Sequence, residues 1–467
     1  MSVLAETAEY IDHETIMETL AGAAAPEAGR VRAILDEARA LHGLSHADVA
    51  TLMQVEAPAL VEELFHAARE VKELIYGRRI VLFAPLYFSN LCSNECLYCA
   101  FRRSNRALDR RVLTQEEIAA EVAALVDQGH KRVLVLCGES YPRQGFSYVL
   151  DTIDTVYSVH RGPGEIRRVN VNVAPLTAEQ FRQLKEHQIG TYQLFQETYH
   201  REIYGQVHQG GQKVDFDWRV TAMDRAMEAG LDDVGLGVLY GLAPWRYDTL
   251  GMLQHIAHLE QRFGVGCHTI SVPRLEPALG SELSTHSPHQ MSDPDFLKAV
   301  AILRLAVPYT GIIMSTRETS ELRRQTLALG VSQISGGSRV NPGGYVEGDP
   351  VAEGEQFCMG DHRTLDEVIR DLCADGYLPS FCTACYRLGR TGGDFMDLAK
   401  PGEIKFHCDP NALSTFQEYL LDYASPATLE VGERLIAEAL TAMDPVARAT
   451  SEGLLAQVRS GKRDAYC

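Results

Sequence analysis

Six of the eleven cysteines fall into two tight groups, each with the spacing of a metal or cluster site. The first, Asn90-Leu-Cys92-Ser-Asn-Glu-Cys96-Leu-Tyr-Cys99, reads CxxxCxxC; the second, Cys382-Thr-Ala-Cys385, is completed by Cys408 after a further 22 residues. Three thiolates can hold an iron–sulfur cluster and leave one iron without a protein ligand, open to an exogenous molecule. An open position is where a metal does chemistry, whereas a fully ligated tetrahedral zinc braces a fold. The structural alternative stands beside each trio: zinc with a distant fourth ligand for the first, and zinc closed by His407, Cys373 or Cys358 for the second.

The composition narrows the classes. The start, Met1-Ser-Val-Leu-Ala-Glu, turns acidic at once and lacks a basic-then-apolar leader, so a cytoplasmic protein with reduced thiols is expected. Cys137 then reads as a small buried hydrophobe, Cys267, Cys358 and Cys373 as unassigned thiols, and Cys467 as an exposed terminal one. The richest apolar run, residues 80–88, is of strand length, far below the ~20 residues of a membrane helix, so no membrane partner is expected. The formal charge of −19 argues against a nucleic-acid backbone as partner.

Loops that bring thiols together need elements to position them. Residues 1–75 are rich in Ala, Glu and Leu, with helical spacing in Val31, Ile34, Leu35, Ala38 and Leu41, and read as a helical N-terminal extension. From residue 76 to 350 short β-rich runs alternate with amphipathic helices: strands are expected at 79–84, 132–137, 168–173, 191–196, 234–239, 268–273, 311–315 and 331–335. Capping boxes at Thr114-Gln-Glu-Glu117 and Thr177-Ala-Glu-Gln180 start two of the helices. This rhythm predicts an α/β fold, a (β/α)8 TIM-type barrel, with an open six-stranded doubly wound sheet as the competitor. The glycine- and proline-rich stretch from Gly336 to Pro350 marks the barrel's exit, and residues 351–467 form a C-terminal extension around the second trio. The first trio follows strand one, at the carboxyl end of the barrel, where active sites of this fold sit. At the ends of strands six and seven stand Arg274 and Ser315-Thr316-Arg317-Glu318; planar Arg forks there suit a substrate carboxylate, and the bland alternative is an Arg–Glu pair such as Arg317 with Glu318 or Glu276.

With Tyr98 just before its last cysteine, the CxxxCxxC loop after strand one resembles the radical S-adenosylmethionine (SAM) superfamily. The resemblance implies a [4Fe-4S] cluster on Cys92, Cys96 and Cys99, with SAM on its open iron and Tyr98 beside the adenine. It also implies SAM contacts from Gly138 and Glu139, from Gln196 and Glu197, from Gly235 and Gly237 in strand five, and from Arg225, which could equally face solvent. Cys137 stands where the superfamily has a small residue, so only Gly138 and Glu139 of that turn carry over.

YFSNLCSNECLYCAF, RRVNVN, LFQETYH, DDVGLGVLYGL, HTISVPRL and CTACYRLGRTG with Cys408 look like one branch of that superfamily, the [FeFe]-hydrogenase maturase that is a tyrosine lyase. Its relative in thiazole biosynthesis is expected to lack the second trio. The resemblance implies cleavage of L-tyrosine to p-cresol and dehydroglycine. It further implies conversion of dehydroglycine to carbon monoxide and cyanide at an auxiliary cluster on Cys382, Cys385 and Cys408, with an extra iron at His268. The partners implied are tyrosine, SAM, an electron donor and the other hydrogenase maturases; the rivals are a thiazole-type lyase and an iron or zinc carrier. His268 opens strand six and Arg274 closes it, so the two chemistries fall at opposite ends of the barrel. A passage is then required, with small or polar residues such as Ser271 along the axis.

Overall fold

The computed structural model describes residues 8–23, 26–348, 354–400 and 403–467. Four helices come first: α1 (His13–Gly22), α2 (Ala28–Arg39), α3 (His46–Met53) and α4 (Pro58–Tyr76). Val31, Ile34, Leu35 and Ala38 form the buried stripe of α2, as their spacing predicts. Leu41 lies beyond the helix with φ 64°, a left-handed residue that leads into the next turn. Helix α4 ends on Gly77, whose φ of 59° returns its N–H to the carbonyl of Glu73 and turns the chain into the sheet.

Eight parallel strands follow: β1 (Arg79–Ser89), β2 (Arg132–Cys137), β3 (Arg168–Asn172), β4 (Tyr192–Glu197), β5 (Val234–Val238), β6 (Thr269–Ser271), β7 (Gly311–Met314) and β8 (Gln333–Ser335). Each lies where the β-rich runs place it, and the pairing of β8 with β1 closes the sheet, which removes the open-sheet alternative. Both capping boxes form at the expected residues. Pro350, where the sequence places the barrel's exit, lies outside the described residues.

Two features exceed the sequence reading. Strand β1 runs five residues past the expected end: along one edge Arg79–Val81 pair with a ninth strand and Val81–Phe83 with β8, while from Ala84 onward the other edge pairs with β2. That ninth strand, β9 (Leu378–Ser380), is not among the strands expected from the sequence; it has β1 as its one neighbour, and an edge position tolerates Pro379, a residue without N–H. Its parallel pairing with the start of β1 delivers Cys382 beneath the barrel, opposite the first trio. The helix Lys405–Asp422 packs on β9 and carries Cys408.

Outward residues of β1, such as Ile80, Leu82, Ala84 and Leu86, are fully buried against the helices, in one continuous core that takes in α2, α3 and α4. The inward set is unusual for a packed barrel, as the site shows.

Candidate functional site: two cavities at opposite ends of the barrel

The carboxyl ends of the strands open onto a cavity of about 160 Å3. Cys92, Cys96 and Cys99 line it, on a loop held from outside by a segment that follows β4: Glu95 and Leu97 donate their N–H groups to the carbonyls of Gly210 and Val207, at 2.9 and 3.0 Å. Gly138 is required by contact: a Cβ there would stand 2.1 Å from the carbonyl oxygen of Leu91. Burial pushes the Cys92 thiol up to about 11 and raises Cys96 and Cys99 as well. Loading a metal cluster would therefore displace three protons.

Four buried charges form the wall beside the thiols. Lys213 donates to Glu197 at 2.6 Å, and Arg219 donates to Glu139 at 2.9 Å and lies 3.5 Å from Glu197. Asn94, inside the cysteine loop, donates to the other Glu139 oxygen at 2.6 Å. Burial alone would raise the Glu139 carboxyl, but Arg219 and Lys213 outweigh it and hold it below its ordinary range. Glu197 has φ 72° at a break in the β4–β5 register, a bulge that aims its carboxylate inward. Tyr98 joins the same wall, its hydroxyl 2.9 Å from Nε2 of His208.

Ser315 and Arg317 reach the cavity from β7. Arg317 is half-buried with its guanidinium 3.3 Å from the centre of the Phe357 ring, and no carboxylate of the described residues lies within ion-pair distance. Three expected contacts are corrected, at Arg274, Arg225 and Gln196. Arg274 makes a two-bond pair with Glu318, at 2.9 and 2.5 Å, and meets Asp293 at 2.7 Å, outside the cavity. Pro273 faces the lumen, so the next residue on an extended strand must face away. Arg225 lies behind the sheet, stacked on Trp218 and donating to the carbonyls of Leu176 and Trp218. Gln196 is buried outside the cavity lining, while Gly235 and Gly237 supply bare barrel wall: a Cβ on Gly235 would meet Thr269 Oγ1 at 2.5 Å, and one on Gly237 the Phe195 ring at 2.6 Å.

At the amino ends of the strands lies a second, smaller cavity of about 50 Å3, lined by Cys382, Cys385, Cys408 and His268. The Cys385 thiol donates to the Cys408 sulfur, which lowers Cys408 and raises Cys385, so the pair shares a proton. His268 packs its ring against Phe395 at 4.4 Å, with Nδ1 3.7 Å from Asp233 and without a hydrogen-bond partner. Arg79, Arg132 and Arg390 line the same cavity, all three with an unpartnered buried Nε, and so does Asp233, whose Oδ2 is likewise buried and unpartnered. Cys467, expected as an exposed terminal thiol, is held here instead: its carbonyl accepts from Arg390 at 2.7 Å and its N–H donates to Asn411 at 2.8 Å. Among the described residues no three His, Cys, Asp or Glu side chains gather closely enough to share a single metal ion. Each trio instead lines one wall of a cavity, a wider arrangement suited to a multi-iron cluster.

Between the cavities, Phe83, Leu134 and Ile313 form an apolar arc on one side of the axis. Elsewhere the lumen carries Asn172, Gln193, Ser271 and Ser335 beside the apolar Leu136 and Phe195 above, and Gln333 and Gly311 beside Val81 below, so polar side chains interrupt the apolar lining. Sequence reasoning named Ser271 but missed Lys213, Arg219 and the arginines of the lower cavity. A signal for the last was present, since Arg79 and Arg132 each open an otherwise apolar strand.

Residues 86–259 match the radical SAM superfamily, and residues 271–378 match the Biotin and Thiamin Synthesis associated domain. The chain is similar to 2-iminoacetate synthase of Escherichia coli K12, 31% identical over 352 residues that cover 75% of this chain and 90% of that protein. Among solved structures it resembles HydG, a maturase of the [FeFe]-hydrogenase, with 48% identity and a TM-score of 0.95 across 98% of this chain and 100% of that one. HydG from Carboxydothermus hydrogenoformans shows 40% identity and a TM-score of 0.84, over 96% of this chain and 99% of that one.

Proposed function

The chain belongs to the radical SAM superfamily, in the family of the HydG maturases and 2-iminoacetate synthase; from that premise we propose that it cleaves L-tyrosine to p-cresol and dehydroglycine and converts dehydroglycine to carbon monoxide and cyanide for hydrogenase assembly. The observation that carries the second half is the lower cavity with its own cysteine trio, at the far end of a lumen without a continuous apolar plug. A lyase that stopped at dehydroglycine would have no use for it. The likeness to HydG, which spans nearly the whole chain, favours the same reading over the synthase, which matches three quarters of it.

In this reading Cys92, Cys96 and Cys99 hold the upper [4Fe-4S] cluster, and the cluster with SAM, when bound, supplies a 5′-deoxyadenosyl radical. The chain's own residues do the rest. Glu139 and Glu197, held in place by Arg219 and Lys213, receive the ammonium and ribose hydroxyls of SAM, with Gly138 giving backbone access and Tyr98 flanking the adenine. Arg317 and Ser315 take the carboxylate of tyrosine, since both line the cavity and the half-buried guanidinium forms no ion pair with a described carboxylate. Below, Cys382, Cys385 and Cys408 hold the auxiliary cluster, and the unpartnered Nδ1 of His268 offers a nitrogen ligand to an additional iron. The hydrogen that the radical takes leaves with 5′-deoxyadenosine, and one electron from the electron donor with one proton completes p-cresol beside dehydroglycine; dehydroglycine divides into carbon monoxide, hydrogen cyanide and water, so neither cleavage needs a net oxidant.

The test is product analysis of the anaerobically reconstituted protein given SAM, reductant, iron, cysteine and L-tyrosine. Carbon monoxide with p-cresol is the expected result. With both clusters loaded, p-cresol alone would reassign the chain as a thiazole-type lyase, and neither product would make it a carrier.

A further inference from the structure

Arginine guanidinium groups in a folded interior nearly always meet an acceptor, because burying an ionised group without one is costly. The floor of this barrel breaks that rule three times. Arg79, Arg132 and Arg168 are each more than nine-tenths buried, each has an Nε without a hydrogen-bond partner, and none forms an ion pair with a described carboxylate.

They divide into two kinds. Arg79 lies against Cys382 and Cys408 and serves the charge of the thiolates. Arg132 and Arg168 are direct neighbours in register on adjacent strands, an arrangement that like charges disfavour. They flank one ring, Tyr386, with guanidinium carbons 5.6 and 3.1 Å from its centre. Gly190 keeps the space for them, since a Cβ there would stand 2.1 Å from Arg168 Nε. Nearby Asp233 accepts the N–H of Gly392 at Oδ1 and keeps its buried Oδ2 without a partner; it forms no ion pair with either arginine. Arg132 lines the lower cavity and Arg168 stands behind that lining, against Tyr386; two adjacent buried cations, each with a free Nε, describe the complement of a small anion, and the planar fork suits a carboxylate.

The same strand indicates where the anion comes from. Residues 168, 170 and 172 of β3 alternate with the fully buried Val169 and Val171, so Arg168, Asn170 and Asn172 share the lumen face. Asn172 lines the upper cavity, and Arg168 stacks on a tyrosine that lines the lower one. One polar strip thus joins the two ends.

We infer that Arg132 and Arg168 form a carboxylate subsite that holds dehydroglycine, the two-carbon imino acid, beside the lower trio and prevents its escape. The inference rests on the reaction proposed above for the two cavities. An acid that is not held leaves and hydrolyses with water to glyoxylate and ammonia.

The experiment uses the protein with both clusters loaded and the variants Arg132→Gln, Arg168→Gln and Arg168→Lys. The expected result is unchanged p-cresol and about tenfold less carbon monoxide per p-cresol in the Gln variants, with glyoxylate making up the difference, and partial recovery in Arg168→Lys. A readout independent of turnover is the binding of [13C]glyoxylate without SAM, followed by NMR, which should weaken by about tenfold in the Gln variants. Unchanged partition and unchanged binding would overturn the subsite. Loss of lower-cluster iron in the variants would overturn it as well, by making the arginines cluster supports. Carbon monoxide labelled from added [13C]glycine rather than from [13C]tyrosine would overturn the choice of a tyrosine-derived acid. A parent protein that made no carbon monoxide, yet bound glyoxylate through Arg132 and Arg168, would overturn the proposed reaction and leave the subsite standing.

Discussion

The two ends of this barrel carry the same metal-binding chemistry and opposite electrostatic designs. At the upper end the carboxylates Glu139 and Glu197 meet Lys213 and Arg219 in one buried network, so each charge is met within the protein. At the lower end Arg79, Arg132 and Arg168 are buried with an Nε left free and form no ion pair with a described carboxylate, and the nearby Asp233 likewise keeps one buried oxygen unpartnered. A prepaired wall suits a zwitterionic ligand that exchanges every cycle, because the site keeps its shape when empty. An unpaired cationic floor suits anions, thiolates included, and is complete only when they are present. The separation of a pair of reactions along one axis is thus matched by a change in what the protein leaves for the ligand to complete.

The strongest break in that comparison comes from the thiols. Cys96→Ala should abolish p-cresol and carbon monoxide together, whereas Cys385→Ala should keep p-cresol and abolish carbon monoxide. Carbon monoxide from the Cys385 variant would mean that the ends do not divide the labour. Next in size is a stability contrast in the cluster-free protein, read by urea unfolding. Lys213→Met leaves Glu197 buried without its main partner and should cost about 3 kcal/mol. Arg168→Met removes one of two adjacent like charges, at the loss of one ring contact, and should stay within about 1 kcal/mol of the parent. Equal losses would show that the lower arginines have partners in solution.

How much of this was legible in the sequence depends on the range over which each signal acts. The six thiols and the eight strands declare themselves locally, through spacing and through alternation of apolar runs. Lys213 and Arg219 do not, because they enter from a segment after β4 and acquire meaning when it folds back on the cysteine loop. Arg274 illustrates a readable signal misapplied. Polar residues at strand ends were taken as lumen-facing, but the period of two that puts Ser271 and Pro273 inside puts Arg274 outside. The same count from Ile313 leads to Ser315 and Arg317, which do reach the cavity. β9 is three residues long and contains Pro379, which only an edge strand tolerates, and the sequence does not say which strand has a free edge.

That contrast between neighbouring arginines is itself testable. Arg317→Gln should raise the KM for tyrosine about tenfold, the loss of a charge-assisted contact to its carboxylate. Arg274→Gln should leave KM unchanged and lower the urea midpoint, because it strands the buried Glu318. A KM effect at Arg274 and none at Arg317 would reverse the assignment.

The smallest effect expected is a pH dependence confined to the upper end. Glu276 lines that cavity, and burial, reinforced by the nearby Glu318, pushes its carboxyl up to about 7. A raised carboxyl is neutral below that value and charged above it, so the cavity gains negative charge between pH 6 and 8. The ammonium of tyrosine keeps its proton throughout this range and is held better by a charged wall. The KM for tyrosine should therefore fall by about threefold as pH rises through 7, and Glu276→Gln should make the profile flat at the higher, low-pH value. Carbon monoxide formed per p-cresol should not follow that profile, because Glu276 lines the upper cavity and lies apart from the lower one. A partition that tracked Glu276 would couple the two ends electrostatically and contradict the separation from which the comparison starts.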